Sequence, residues 1–340
     1  MRYDSPYGPF GSYGDPHYYM AVQEEKKQIR RESNRIGWTA FAGVLFLSVL
    51  STVGVLYFRM LLSYQPDFAS FAGLNPVLYY LVSALSYAVG LSAPVLFYFA
   101  VRRIPLAAGL PFERAGALKI LACVVLGSAG CMLANFPASM IVVIEENMGF
   151  NGTIPDLPLN DDPVVIALYV LSIVVIPPIV EEMMFRGMIM QGLRRFGDGF
   201  AVVASAALFG LYHGNLAQSV FAFLCGLILG FVVVRTNSLL PSILIHTINN
   251  ASAVAIQMVE RYRGTAEAVS IGDKRAMALL ALGLLAFLYL LFRDRNFFSF
   301  SVSWSPLRFS QKMGAFFSNP GVIMIAVYAV VSSVYVLVGA

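Results

Sequence analysis

The sequence predicts an all-α fold: a polytopic transmembrane helix bundle of eight or nine spans with a polar cavity between helices. Three observations predict it. Of the 340 residues, 58% are hydrophobic and only 12% charged, whereas about a quarter of a soluble domain is charged, so there is too little charge to cover a water-exposed surface. Mean hydropathy is +0.73. Apolar runs near the length of about 20 residues that a hydrocarbon core demands recur near 37–62, 76–101, 117–144, 163–193, 199–214, 216–234, 239–259, 276–292 and 320–338.

Residues 1–36 form a polar leader. Its Gly/Pro/Tyr-rich piece, "YDSPYGPFGSYGDPHYY", has no apolar periodicity, and its charged piece, "EEKKQIRRESNR", suits a short surface helix, so the leader is expected to be largely disordered. The first apolar run begins only near Gly37, behind that leader, which argues against a cleavable signal peptide and for a retained anchor. Residues 37–144 then supply N-terminal transmembrane helices, 145–260 a helical core that carries the motifs below, and 261–340 C-terminal transmembrane helices.

Charge placement orients the bundle. Lys26, Lys27, Arg30, Arg31 and Arg35 precede the first span, Arg102, Arg103, Arg114 and Lys119 follow the second, Arg194 and Arg195 follow the fourth, and Arg235 follows the sixth. Basic residues accumulate on the cytoplasmic side, which places the N-terminus there. The intervening loops are acidic, except that Arg261, Arg263, Lys274 and Arg275 fall on the expected outer side. A net charge of +4 spread in this way speaks for a lipid bilayer as partner and gives no support for nucleic acid. Cys123 and Cys131 stand eight residues apart on one expected helix, roughly 12 Å, too far for a disulfide. "NGT" at Asn151 matches a glycosylation acceptor.

Three stretches break the apolar pattern: "PPIVEEMMFRG" (Pro177 to Gly187), "FGLYH" (Phe209 to His213) and "HTINN" (His246 to Asn250). An ionisable group at membrane depth costs at least about 2.5–3.5 kcal/mol and by default faces the bundle interior. Glu182 and Arg186, four apart, share a helix face and can pair; Glu181 points about 100° away and is left as the free carboxylate. His246 and Asn250 are likewise stacked, and Phe209 can pack beside His213. Pro177 and Pro178 leave carbonyls near Ile173 and Val174 in need of a partner. Counted from the expected cytoplasmic ends, Glu181, His213 and His246 lie roughly 20, 21 and 16 Å deep, so they can meet. Asn249 is turned away from Asn250 and reads as a packing residue, and the tyrosines and phenylalanines read mostly as lipid-facing or interfacial.

The chemistry of this set is that of peptide hydrolysis. A carboxylate in an apolar, partly wet pocket is a stronger base than one in water, so Glu181 suits the activation of a water held by His213, while His246 and Asn250 suit an oxyanion. No "GxSxG" occurs and no cysteine lies in the three stretches. Glu181, His213 and His246 also match a catalytic zinc set, although "HExxH" is absent, so zinc stays open as a cofactor.

"EEMMFR", "FGLYH" and "HTINN" fit Glu-Glu-x-x-x-Arg, Phe-x-x-x-His and His-x-x-x-Asn in that order, which resembles the CPBP (CAAX protease and bacteriocin-processing, or Abi) family of intramembrane endopeptidases. The resemblance covers about 160–260. It implies that the polar cavity is catalytic, with Glu181 as the water-activating base, His213 helping to hold the water, His246 and Asn250 stabilising the oxyanion, and Glu182 and Arg186 organising the site. It also implies a peptide or protein substrate, membrane-bound or lipidated in some members. Glutamate-dependent and metal-dependent mechanisms both stay open, as do two readings of other classes: a non-catalytic immunity or scaffold protein, and a transporter, for which no internal repeat or second broken helix is found.

Overall fold

The computed structural model describes residues 16–150, 157–300 and 304–338, and among these residues every regular element is helical. In chain order they are α1 (Pro16–Leu62), α2 (Pro76–Arg102), α3 (Ala117–Asn147), α4 (Pro163–Phe196), α5 (Asp198–Tyr212), α6 (Leu216–Thr236), α7 (Leu240–Arg263), α8 (Thr265–Arg293), α9 (Phe309–Phe317) and α10 (Pro320–Val338), with single short turns between some of them. Seven are long and apolar enough to cross a membrane: α1 to α4, α6, α8 and α10. The expected count of eight or nine is higher because it included α5 and α7. Both form as helices, but α5 has only 15 residues, and the histidine, asparagines and terminal charges of α7 lower its hydropathy. The Asn151 acceptor and the first 15 residues lie outside the described residues.

Helix starts follow from local chemistry. The Asn75, Asp162 and Asn215 side chains accept from the backbone N–H of Val77, Val164 and Gln218 at the starts of α2, α4 and α6, each such cap stabilising by about 1 kcal/mol. Pro76 and Pro163 occupy first-turn positions where no donor is lost.

The leader departs from expectation. The leader, expected to be largely disordered with a short surface helix at its charged piece, is helical from Pro16 on, as the first part of the 47-residue α1. Its apolar and small residues have something to bury against: Ile29 and Ser33 are fully buried, Glu25 pairs with the buried Lys312 at 3.5 Å and accepts from Ser305, and Tyr18 donates to the Pro306 carbonyl. Sequence scanning treated the leader alone, whereas its partner is the chain 280 residues later. Further along, α1 and α10 cross at Gly37 and Gly321, where a Cβ on either would come within 2.6 Å of the other's backbone. The main core runs along α4, with Met184, Phe185, Met188 and Ile189 packed against Ile36 and Ala40 of α1, Leu91 and Val95 of α2, and Val322 and Ile325 of α10.

The odd basic loop also finds partners. Arg261 binds Asp161 at 3.0 Å and Arg263 binds Glu267 at 2.8 Å.

Candidate active site

The site is built on α4, which is not a uniform α-helix. It widens into π-type turns at Leu171–Val175 and Met183–Ile189, on either side of Pro177, Pro178 and Glu181. Proline at 177 and 178 withdraws the donors that an α-helical ladder would offer to the preceding turn, and wide turns of this kind are frequent at functional sites. The carbonyl of Ile173, one of those expected to need a partner, accepts from Asn250 Nδ2 at 2.9 Å. Asn250 thereby joins α7 to the opened turn of α4.

The two glutamates go to different environments. Glu182 is fully buried and accepts from Arg186 Nη1 at 2.7 Å, with Arg186 also fully buried. The guanidinium lies 4.3 Å over the Phe209 ring, and His246 Nδ1 is 3.2 Å from the same Glu182 oxygen. Phe209 also meets His213 edge to face at 4.9 Å and His246 at 5.8 Å, so one aromatic ring spaces the cation and both imidazoles. Glu181 instead faces a cavity of about 300 Å³ whose wall also carries His213, His246 and Asn250. The structure thus brings four of the six expected site residues onto one cavity and puts the other two, Glu182 and Arg186, in the packed interior behind it.

Hydrogen bonding sets the direction of each group. His213 Nδ1 is 2.8 Å from the Phe209 carbonyl; a carbonyl only accepts, so Nδ1 carries the proton and Nε2 is the nitrogen left for another partner. The turn that holds His213 needs Gly214, which has φ +62° and at which a Cβ would come within 2.8 Å of Ser332 on α10. His246 lies between both carboxylates, with Nε2 3.7 Å from Glu181 Oε2. It is therefore tied to the acids and is not simply stacked with Asn250 to present two donors. Glu181 is not unpartnered either, because the Tyr87 hydroxyl of α2 donates to its Oε1.

Sequence reasoning missed Tyr87, Tyr212 and Tyr328. All three lie near Glu181 or one another, whereas tyrosine was read as lipid-facing or interfacial. The available signal was depth: Tyr87 is about 16 Å along α2 from Pro76 at 1.5 Å per residue, away from the interfaces where tyrosine collects, and a phenol in hydrocarbon needs a partner. Asn249, read as packing, lines the same cavity, and so do the thiols of Cys131 and Cys225. All three cysteines are free and buried.

Zinc stays open as a cofactor from the sequence. Among the described residues no three His, Cys, Asp or Glu side chains are disposed to hold an ion. Of the candidates, Glu181 accepts from Tyr87 on one oxygen, His213 has Nδ1 on a carbonyl and Nε2 unengaged by it, and His246 lies between two carboxylates; second-side contacts of this kind are also common to metal-binding groups.

Compared with known families, residues 163–252 match the model described as type II CAAX prenyl endopeptidase Rce1-like. The match spans α4, α5, α6 and the first half of α7, the segment that carries all three motifs, and agrees with the CPBP resemblance. At the family level it supports a CAAX-type protease in a membrane. No curated protein and no solved structure matches the chain.

Proposed function

We propose, with the endopeptidase match as premise, that the protein is an intramembrane endopeptidase in which Glu181 activates water against a peptide bond. The observation that carries this reading is the convergence of Glu181, His213, His246 and Asn250 on one cavity. Hydrolysis asks for a base, a positioned nucleophile and donors to the oxyanion, and the four groups supply them.

In this reading Tyr87 holds one oxygen of Glu181, and the other, 3.7 Å from His246 Nε2, takes a proton from water as the water oxygen bonds to the carbonyl carbon. His213 orients that water through Nε2, because its Nδ1 is occupied. The oxyanion is met by the second N–H of Asn250, whose first is spent on Ile173, and by His246 Nε2 when the ring is an imidazolium that donates to Glu182 through Nδ1. Collapse breaks the C–N bond, and Glu181 returns the proton to the leaving amine. Glu182 and Arg186 act through His246 and Phe209 and position the site. The substrate is a peptide or protein that reaches the membrane, and a lipidated one suits the family match.

The test uses full-length protein reconstituted in lipid, with peptide release from membrane proteins followed by mass spectrometry. Wild type is expected to generate cleavage products, with and without a metal chelator, and Glu181→Gln is expected to generate none while eluting and melting like wild type. Products from Glu181→Gln at the wild-type rate would remove the base; products lost on chelation and restored by zinc would replace this mechanism with the metal-dependent one.

A further inference from the structure

A second charged cluster lies away from the cavity, at the end of the bundle where α1, the C-terminus of α2 and the C-terminus of α4 meet. At its centre is Glu32, only 5% exposed. Tyr98 donates to Glu32 Oε1 at 2.5 Å, and three guanidiniums approach Oε2: Arg195 at 3.4 Å, Arg35 at 3.6 Å and Arg102 at 3.9 Å. None of the three has another acidic partner among the described residues. The cluster holds three cations against one anion.

Such an arrangement is costly by itself. Guanidiniums gathered around one carboxylate repel one another, and a single acid within the cluster cannot neutralise them. The buried Glu32 and Tyr98 do set their positions. The outer sides of the guanidiniums stay open, with side chains of Arg35, Arg102 and Arg195 exposed by 31%, 39% and 56%. A planar guanidinium matches phosphate oxygens in a bidentate fork.

The location selects the phosphate. Trp38, 44% exposed, follows Glu32 on α1 by about 9 Å of helix, and tryptophan collects at the membrane–water boundary. Beyond it α1 exposes Leu45, Phe46 and Val49, a lipid-facing stripe. The cluster therefore sits one to two turns outside the hydrocarbon, at headgroup level.

We propose that Arg35, Arg102 and Arg195, gathered on Glu32, form a binding site for the headgroup phosphate of an anionic phospholipid. The lipid supplies the missing negative charge and clamps α1 to the ends of α2 and α4. This site is independent of peptide cleavage and stands or falls without it.

The test places full-length protein in nanodiscs of phosphatidylcholine containing phosphatidylglycerol and reads retained lipid by native mass spectrometry. Wild type is expected to retain phosphatidylglycerol in preference to phosphatidylcholine. Arg195→Gln, the most exposed of the three, and Arg102→Gln are each expected to lower that preference about fivefold, while Lys27→Gln, at the same end but outside the cluster, leaves it unchanged. Preference unchanged in both arginine variants, or lowered equally by Lys27→Gln, would overturn the site. In a second arm, phosphatidylglycerol is expected to raise the melting temperature of detergent-solubilised wild type. Inorganic phosphate that raises it equally would make the occupant a soluble anion and overturn the lipid assignment. If Arg102→Gln does not fold, Arg195→Gln decides the outcome alone.

Discussion

Glu181 and Glu182 are neighbours in sequence, and both are buried beside His246, yet one is paired with a guanidinium and the other lies on a cavity. Glu182 sits in a closed environment, fully buried, with a guanidinium at 2.7 Å and an imidazole at 3.2 Å. Glu181, also buried, sits on the wall of the cavity, with a phenol on one oxygen and His246 Nε2 3.7 Å from the other. The difference arises from geometry before chemistry. Adjacent helical residues point about 100° apart, so one helix directs the first acid into the hollow and the second into the packed interior. A carboxylate paired with a buried guanidinium holds structure, whereas a carboxylate on a cavity wall is available to a substrate.

The comparison breaks most visibly at the closed acid. Glu182→Gln leaves Arg186 buried without its counter-ion, a change that costs about 3–5 kcal/mol, and the expected result is a large loss of melting temperature and of folded protein in the membrane fraction. Replacing both partners, as Glu182→Leu with Arg186→Met, removes both charges together and is expected to melt closer to wild type than Glu182→Gln does. Glu181→Gln, by contrast, is expected to melt like wild type. If Glu181→Gln and Glu182→Gln are equally destabilised, the distinction between a structural and an available acid fails.

How far this was legible in the sequence depends on the range of each interaction. The pairing of Glu182 with Arg186 and the edge-to-face contact of Phe209 with His213 follow from i, i+4 spacing, and the need of the Ile173 carbonyl for a partner follows from Pro177. All three are local. The partner of that carbonyl, Asn250, comes from 77 residues away, and its own motif had suggested a different use. The charged piece of the leader was legible as a helix, but its extension back to Pro16 and its packing were not, because they depend on Lys312 and Ser305, at the other end of the chain. Tyr87 belongs to a helix with no motif at all, and its only mark was a phenol at mid-span depth. The span count differs from the seven long apolar helices for another reason: the polar residues that make α7 chemically interesting also lower its hydropathy.

Tyr87 sharpens the open side of the comparison. If the phenol fixes the Glu181 rotamer, Tyr87→Phe keeps the ring, the packing and the fold but frees the carboxylate to turn. A hydrogen bond to a charged group contributes about 1.5–3 kcal/mol, and loss of about 1.4 kcal/mol of it in the transition state is tenfold in rate. The expected outcome in the reconstituted cleavage assay is kcat lowered about tenfold with KM unchanged and melting close to wild type. A variant that loses KM instead would make Tyr87 a wall of the substrate site, and one that loses neither would leave Glu181 held by its helix alone.

The smallest effect is expected where an ion pair has neither burial nor a cavity. Asp161 and Arg261 meet at 3.0 Å beside the ends of α4 and α7, with the Asp161 side chain 74% exposed. Hydrogen bonds from Arg261 and Tyr262, together with the nearby positive charge, hold the Asp161 carboxyl below the usual aspartate range. A lowered folded-state value means that the contribution to stability is fully present above the ordinary aspartate range and is lost as the pH falls through the lowered one. Water screens such a pair, and exposed bridges contribute little. Asp161→Asn is therefore expected to leave melting at neutral pH and peptide cleavage almost unchanged, and to show itself only as faster hydrogen exchange at the C-terminal end of α7. Under strong acid wild type loses the same contribution, and its exchange at that end is expected to match the variant's. A large fall in melting temperature for Asp161→Asn would mean that charge pairing at the edge of this bundle counts as heavily as in its interior, and burial would then not be what separates the two kinds of acid.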